Sequence, residues 1–306
     1  MALASGGNGR KGRWRGNLAA LAPYLWLLLF FLAPFLIVLK ISFSEAVIAQ
    51  PPYSPTFSLS DGLSGLWQAL GQLTTYNYTF LLEDSLYINA YLSSLKIAAI
   101  STGLALLVGY PVALAMARAP SGWRPLLVAL VILPFWSSFL IRVYAWIGIL
   151  KRDGLLNHLL LSSGLISEPL TILNTNTAVY IGIVYTYLPF MILPLYAALE
   201  RQDRSLLEAA ADLGSPPLLA FWQITVRLSV PGILAGSLLV FIPVVGEFVI
   251  PSLLGGSETL MIGRTLWDEF FQNRDWPLAS TVAVLLVLVL VVPITIFQRT
   301  QSRGAP

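Results

Sequence analysis

Six long apolar blocks constrain this chain more than any other feature, at about 18–39, 88–117, 125–150, 177–199, 230–254 and 278–298. A helix needs roughly 20 apolar residues to cross a hydrocarbon slab ~30 Å thick, and each block is long enough. Charged residues make up 11% of the chain, against ~25% in soluble domains. The expected fold is all-α and polytopic, with six transmembrane helices. Continuous apolar blocks, rather than short alternating strands, exclude an outer-membrane barrel. With no Cys, the chain has neither disulfides nor cysteine metal sites.

Arg10, Lys11, Arg13 and Arg15 precede the first block. That block is too long for a signal-peptide core and no A-x-A site follows it, so it reads as a retained helix. Loop Lys and Arg set orientation. With the N-terminus inside, eleven fall inside (Arg10, Lys11, Arg13, Arg15, Arg118, Arg124, Arg201, Arg204, Arg227, Arg299, Arg303) and five outside (Lys40, Lys151, Arg152, Arg264, Arg274). Both termini are therefore expected in the cytoplasm of a bacterial inner membrane. The expected organisation is a tail over 1–17, one membrane domain over 18–298 and a tail over 299–306. The net charge of +3 reflects this bias and points to no nucleic acid.

Outside the spans, helices are expected near Leu63–Leu73, Leu155–Leu161 and Arg264–Asn273, with a tight turn at Pro120–Gly122. Prolines 111, 134, 189, 194, 243, 251 and 293 punctuate the spans. A proline removes a backbone donor, which lipid tolerates only where neighbours re-satisfy the freed carbonyl. Ordinary kinks and broken helices lining a polar route are both open readings.

One loop, over 200–229, departs from the apolar pattern: EAAADLGSPPLLAFWQITVRLSVPG occupies 208–232. Residues 201–213 suit a helix stopped by Gly214 at a left-handed C′ position. Ser215 reads as an N-cap with Pro216 at N1, opening a second helix that ends near Ser229–Pro231. Ala209, Ala210 and Ala211 permit close approach of another backbone. The second helix carries Leu218, Leu219, Phe221, Trp222 and Ile224, of which Leu218, Phe221 and Trp222 form an apolar face, for a partner or for the bilayer surface.

Glu208-Ala209-Ala210, Gly214 four residues on and Ile224 ten beyond it resemble the EAA loop of ABC importer permeases. Where that pattern continues Leu-Pro, this chain has Val226-Arg227, with a proline at Pro231. The resemblance implies that the loop, with Glu208, Asp212 and Arg227 among its polar residues, docks on a cytoplasmic ATPase and transmits its closure. The stretches LPFWSSFLIRVYAWIGIL (133–150), PLTILNTNTAVYIGIVYTYLPFMILPLYAAL (169–199), FIPVVGEFVIPSLLGG (241–256) and MIGRTLWDEFFQNRDWPLAS (261–280) resemble polyamine-importer permeases, most strongly the putrescine type, over roughly 20–298. That likeness implies a second related permease, two ATPase copies and a periplasmic binding protein as partners within membrane lipid. The chain has no G-x-x-x-x-G-K-[ST] phosphate loop. No cofactor or metal is expected in it, ATP and magnesium belonging to the ATPase.

A polyamine route calls for carboxylates and aromatic faces. Glu247 is the one carboxylate within a span, and Trp136, Tyr144, Trp146, Tyr185 and Tyr187 lie in the third and fourth spans. Asp268 and Glu269 lie in the last outer loop, near the expected mouth. By ~1.5 Å per residue, Glu247 lies about 10 Å and Lys96 and Arg142 about 12 Å below the outer ends of their helices. An ion pair with either cation and a cation site are equally open for Glu247. Packing is the plain alternative for the aromatics, and loop charge for Asp268 and Glu269. The lone His158 pairs with no metal ligand. An intramembrane enzyme lacks its catalytic set, since no His, Cys or Asp lies within a span. A channel has no use for an EAA loop. A permease for spermidine, or for an anion with Lys96 and Arg142 as lining, is the main rival.

Overall fold

The computed structural model describes residues 21, 23–56 and 62–304. The expected tail over 1–17 lies outside them. The helices are α1 (Pro23–Ser42), α2 (Gly62–Gly71), α3 (Tyr76–Glu83), α4 (Ser85–Arg118), α5 (Arg124–Ile132), α6 (Phe139–Leu150), α7 (Leu155–Ser162), α8 (Asn176–Glu200), α9 (Ser205–Asp212), α10 (Pro217–Val245), α11 (Val249–Leu254), α12 (Ile262–Trp267) and α13 (Trp276–Gly304). The short helices expected outside the spans are present. A small hairpin of β1 (Glu45–Ala46) and β2 (Tyr53–Ser54) was not expected.

Two compact units divide the described residues. The smaller collects those up to Leu81 with Asn273–Leu285. Within it, Asn77 Nδ2 donates to the carbonyls of Ser42 and Ser44, and Thr281 Oγ1 donates to Ser42 O. These bonds pin the chain where it leaves α1. Helix α1 is apolar on every side, and only 6% of its most apolar stretch is buried within the chain. Such a helix faces lipid or another apolar surface.

The larger unit holds Leu82–Gln272 and the rest of α13. Its core is the mutual packing of α4, α8 and α10 around Ile183, Met191, Leu195, Val240 and Val244. Gly232 and Gly236 form a small-x-x-x-small pair that lets α10 approach α8 closely. A Cβ at Gly232 would stand 2.6 Å from the Cβ of Ala198, and one at Gly236 2.9 Å from Met191 Sδ. Asp84 caps α4 by accepting from Leu86 N at 2.8 Å. At 34 residues, α4 is about 50 Å long and exceeds the hydrocarbon slab.

Five helices are long and apolar enough to span a membrane, and one bent pair makes a sixth. That pair corrects the expected single span at 125–150. Arg124–Trp136 and Phe139–Ser162 meet at 88°. Pro134 cannot donate, the turn tightens to a 3₁₀ helix over Leu133–Trp136, and Ser137 and Ser138 run extended.

The fifth span is also corrected. Rather than stopping at Ser229–Pro231 and restarting, α10 runs 29 residues unbroken from the hairpin into the membrane. It ends at Gly246, and 249–254 is a separate helix, α11. Glu247 therefore lies in a break and not inside a helix.

Candidate functional site

The EAA loop folds as a helical hairpin. Helix α9 ends in a Schellman motif: Gly214 takes φ +79, its N–H bonds Ala211 O at 2.9 Å, and Ser215 N bonds Ala210 O at 2.9 Å. The first helix starts at Ser205 rather than 201, where the Asp203 carboxylate accepts Ser205 N at 2.9 Å. That bond holds the Asp203 carboxyl below the usual carboxylate range. The N-cap of the second helix is Pro216, with Pro217 at N1, one residue beyond the expected Ser215–Pro216 pair. Pro217 forces the residue before it to be extended (ψ 144 at Pro216), so the helix cannot open earlier.

The expected apolar face divides. Leu218 and Trp222 are 71% and 60% exposed, and Glu208, Ala209 and Asp212 are exposed as well, with Ala210 and Ile224 half-buried. Phe221 instead turns onto α4, edge-on to Tyr110 at 6.0 Å. Phe221–Val226 is a π-turn within α10, and Gln202 Nε2 donates to Thr225 O at 3.0 Å. The π-turn ends directly before Arg227, where the EAA pattern has proline. Exposed Arg227 does not end the helix. A cavity of about 360 Å³ separates the hairpin from the ends of α4 and α8, with Arg118, Arg124, Glu200, Arg204 and Glu208 on its walls. Arg124 and Glu200 pair across it at 3.1 Å.

The opposite end of α10 carries the second cluster. Glu247 is buried, and its Oε2 accepts the Tyr187 hydroxyl at 2.5 Å. Oε1 accepts Val249 N at 2.9 Å and Ile250 N at 3.3 Å, satisfying donors at the start of α11. Glu247 pairs with neither Lys96 nor Arg142, so the expected alternative of an ion pair is not realised. Lys96 is exposed. Arg142 serves the elbow of the third span: Nη1 donates to Pro134 O at 2.8 Å and the guanidinium lies 5.1 Å over Phe135. Its Nε is buried without a hydrogen-bond partner among the described residues.

Trp146 and Tyr185 meet edge to face at 5.3 Å. Trp136 and Tyr144, 82% and 59% exposed, join neither this pair nor Glu247. Asp268 and Glu269 open a π-turn over Asp268–Gln272, where Glu269 Oε1 accepts the Tyr87 hydroxyl at 2.7 Å and Asp268 accepts from Gln272. Two features escaped the sequence reading. Gly263 seats α12 on the break after α10, since a Cβ there would stand 2.3 Å from Gly246 O. Phe248, Trp267 and Phe271 form a ring stack. An isolated Gly in a helical stretch and the acid–aromatic neighbours Glu247-Phe248 and Trp267-Asp268 were the available signals. Among the described residues, no three His, Asp or Glu side chains gather as metal ligands.

Known proteins resemble this chain in sequence and in fold. The permease protein PotB of a spermidine/putrescine transport system from Haemophilus influenzae is 40% identical over 91% of each chain. The Escherichia coli protein of the same description is 43% identical over 74% of this chain and 82% of its own. In fold, the chain matches a bacterial ABC transporter involved in import of the acidic polysaccharide alginate, at 18% identity and TM-score 0.67, covering 97% and 98% of the two chains. The model of the family of binding-protein-dependent transport system inner membrane components matches residues 13–305. With that match over nearly its whole length, the chain belongs to the family of inner membrane components of binding-protein-dependent transport systems, the permeases of ABC importers.

Proposed function

We propose that this permease carries polyamines, putrescine foremost, in an ATP-driven importer. The observation that carries the reading is the 40% identity over 91% of both chains with a spermidine/putrescine permease, which extends well beyond the EAA loop. The choice of putrescine follows the likeness of 133–150, 169–199, 241–256 and 261–280 to putrescine-type permeases. A buried carboxylate bonded only by neutral donors, Glu247, and carboxylates beside aromatic rings at Asp268 and Glu269 support a cationic cargo.

The subunit itself makes and breaks no covalent bond. In this reading the exposed face of the 205–226 hairpin docks on one of two ATPase copies, which bind ATP and magnesium. A second permease completes the path, and a periplasmic protein delivers cargo. Both termini lie in the cytoplasm, as the Lys and Arg bias favours. At ~1.5 Å per residue, α10 reaches about 44 Å from the hairpin to the Gly246 break. Closure of the ATPases then moves the hairpin end of the rod, which carries the motion to the break, and reverses which side the cavity faces.

Arg142 supports a second reading, an anion permease, because its guanidinium sits at the elbow of the third span with Nε unpaired. Uptake by proteoliposomes holding the whole complex, with labelled putrescine, spermidine and molybdate, separates the two. Saturable, ATP-dependent putrescine uptake is expected. Uptake of molybdate alone sinks the polyamine reading.

A further inference from the structure

Two acid–aromatic dipeptides meet at the end of α10 remote from the hairpin. Glu247-Phe248 forms the break, and Trp267-Asp268 joins α12 to its π-turn. The Phe248 and Trp267 rings stack with centroids 4.5 Å apart and 9° between planes. Phe271 continues the stack from Trp267 at 4.1 Å. The close seat of Gly263 on Gly246 O and Glu247 O fixes the approach that brings these rings together. Both backbone segments are irregular, a feature concentrated at functional sites.

The stack is open: Trp267 is 40% and Phe271 54% exposed. Lipid does not suit this surface, because Asp268 and Gln272 share its turn and a carboxylate in hydrocarbon is costly. Asp268 and Glu247 lack a cationic partner among the described residues. Arg264, a turn before Asp268, aims its guanidinium at Gly256 O instead, at 3.5 Å. The surface is therefore aromatic and acidic, and among the described residues Asp268 makes no ion pair on it.

We infer that Phe248, Trp267 and Phe271, with Asp268, form a contact site for an alkylammonium cargo inside the permease. The ammonium N–H groups bond the Asp268 carboxylate while the positive charge lies against the rings. The methylene chain lies along the same ladder. The site rests on the polyamine reading above and deepens it. Ring area and charge act together here, which a purely anionic or purely apolar solute does not use.

The test uses the assembled complex without its binding protein, so that equilibrium binding of labelled putrescine reports the membrane subunits alone. Saturable binding is expected, about tenfold weaker in Trp267→Ala and within about threefold of the parent in Trp267→Phe. Asp268→Asn weakens binding about as much as Trp267→Ala. Co-purification of the second permease is read in parallel. The site is overturned if the parent complex binds no putrescine, if Trp267→Ala binds like the parent, or if the Phe and Ala variants lose binding equally. Loss of the second permease from the Trp267→Phe complex also overturns it, marking the stack as a subunit contact. ATP-driven putrescine uptake by the parent with binding protein present tests the polyamine reading separately. Uptake without a Trp267 effect rejects the site alone, whereas absent uptake rejects both.

Discussion

The Tyr187 hydroxyl donates a hydrogen bond to Glu247 across 2.5 Å, tying α8 to the break that follows α10. Removing that hydroxyl leaves a buried carboxylate oxygen without a donor. Tyr187→Phe should therefore lower stability by about 1–3 kcal/mol, read as a lower melting temperature of the purified complex. Glu247→Gln keeps an acceptor for Val249 N and Ile250 N but removes the charge. If it retains the melting temperature and loses putrescine uptake, the charge serves cargo. Unchanged uptake would reduce Glu247 to a cap on α11.

Gly263 admits no side chain. The nearest atoms to a Cβ are the carbonyls of Gly246 and Glu247, and backbone cannot yield as a flexible side-chain tip can. Gly263→Ala should cost at least about 1–3 kcal/mol through overpacking. Limited proteolysis should then show faster cleavage between α10 and α11.

Trp222 and Phe221 are neighbours with opposite assignments. Trp222→Ala removes an exposed ring and should leave stability within about 0.5 kcal/mol of the parent, while co-purification of the ATPase falls. Phe221→Ala takes away the ring packed on Tyr110 and should lower thermal stability as well. Equal effects of both on stability would reject the division of the hairpin face.

Thr225 Oγ1 is buried without a hydrogen-bond partner among the described residues. Thr225→Val replaces that hydroxyl with a methyl group of similar shape, so stability should be unchanged or rise by about 1 kcal/mol. The Gln202 bond accepts at the backbone carbonyl and survives the change. A drop in melting temperature would reveal a partner for the hydroxyl.

Asp203 is ionised where it accepts Ser205 N, and its folded pKa is lowered by that bond. A lowered carboxylate contributes stability that is present above its unfolded value of ~3.9 and lost as pH falls through the folded value. The protection factors of amides in the first turn of α9, which allow for the slower intrinsic exchange in acid, should fall below about pH 4. Asp203→Ala should show that lower protection already at pH 7, with little further loss of protection on acidification.

The spans were legible because crossing a membrane sets a minimum length of apolar helix, and composition reports it directly. Gly214 was legible for a local reason: the end of α9 needs a positive φ that glycine supplies without strain. The start of the next helix shifted by one residue because two prolines adjoin, and the second dictates the conformation of the first. The elbow at Pro134 was hidden, since a proline in an apolar run reads as an ordinary kink. Its 88° angle depends on Ser137, Ser138 and the Arg142 bond to Pro134 O acting together. Continuity of α10 past Ser229–Pro231 was hidden for the converse reason. A Ser-x-Pro run looks like a stop in a soluble loop, yet here Ser229 Oγ bonds back to Val226 O at 2.9 Å and the helix continues. The pairing of Tyr187 with Glu247, 60 positions apart, and the ring stack depend on tertiary packing that no periodicity encodes.

The π-turn at Phe221–Val226 has a consequence for how such chains diverge. A π-turn is an α-helix with one residue inserted, and one residue corresponds to about 100° of rotation at 3.6 residues per turn. A π-turn winds through fewer degrees per residue and absorbs that rotation locally, so deleting a single residue there would restore regular α-helix with Leu218 facing much as before relative to Glu247. Lineages can thus gain or lose that residue without re-aiming the exposed face of the hairpin, whereas a deletion in the regular part of α10 would turn that face by about 100°.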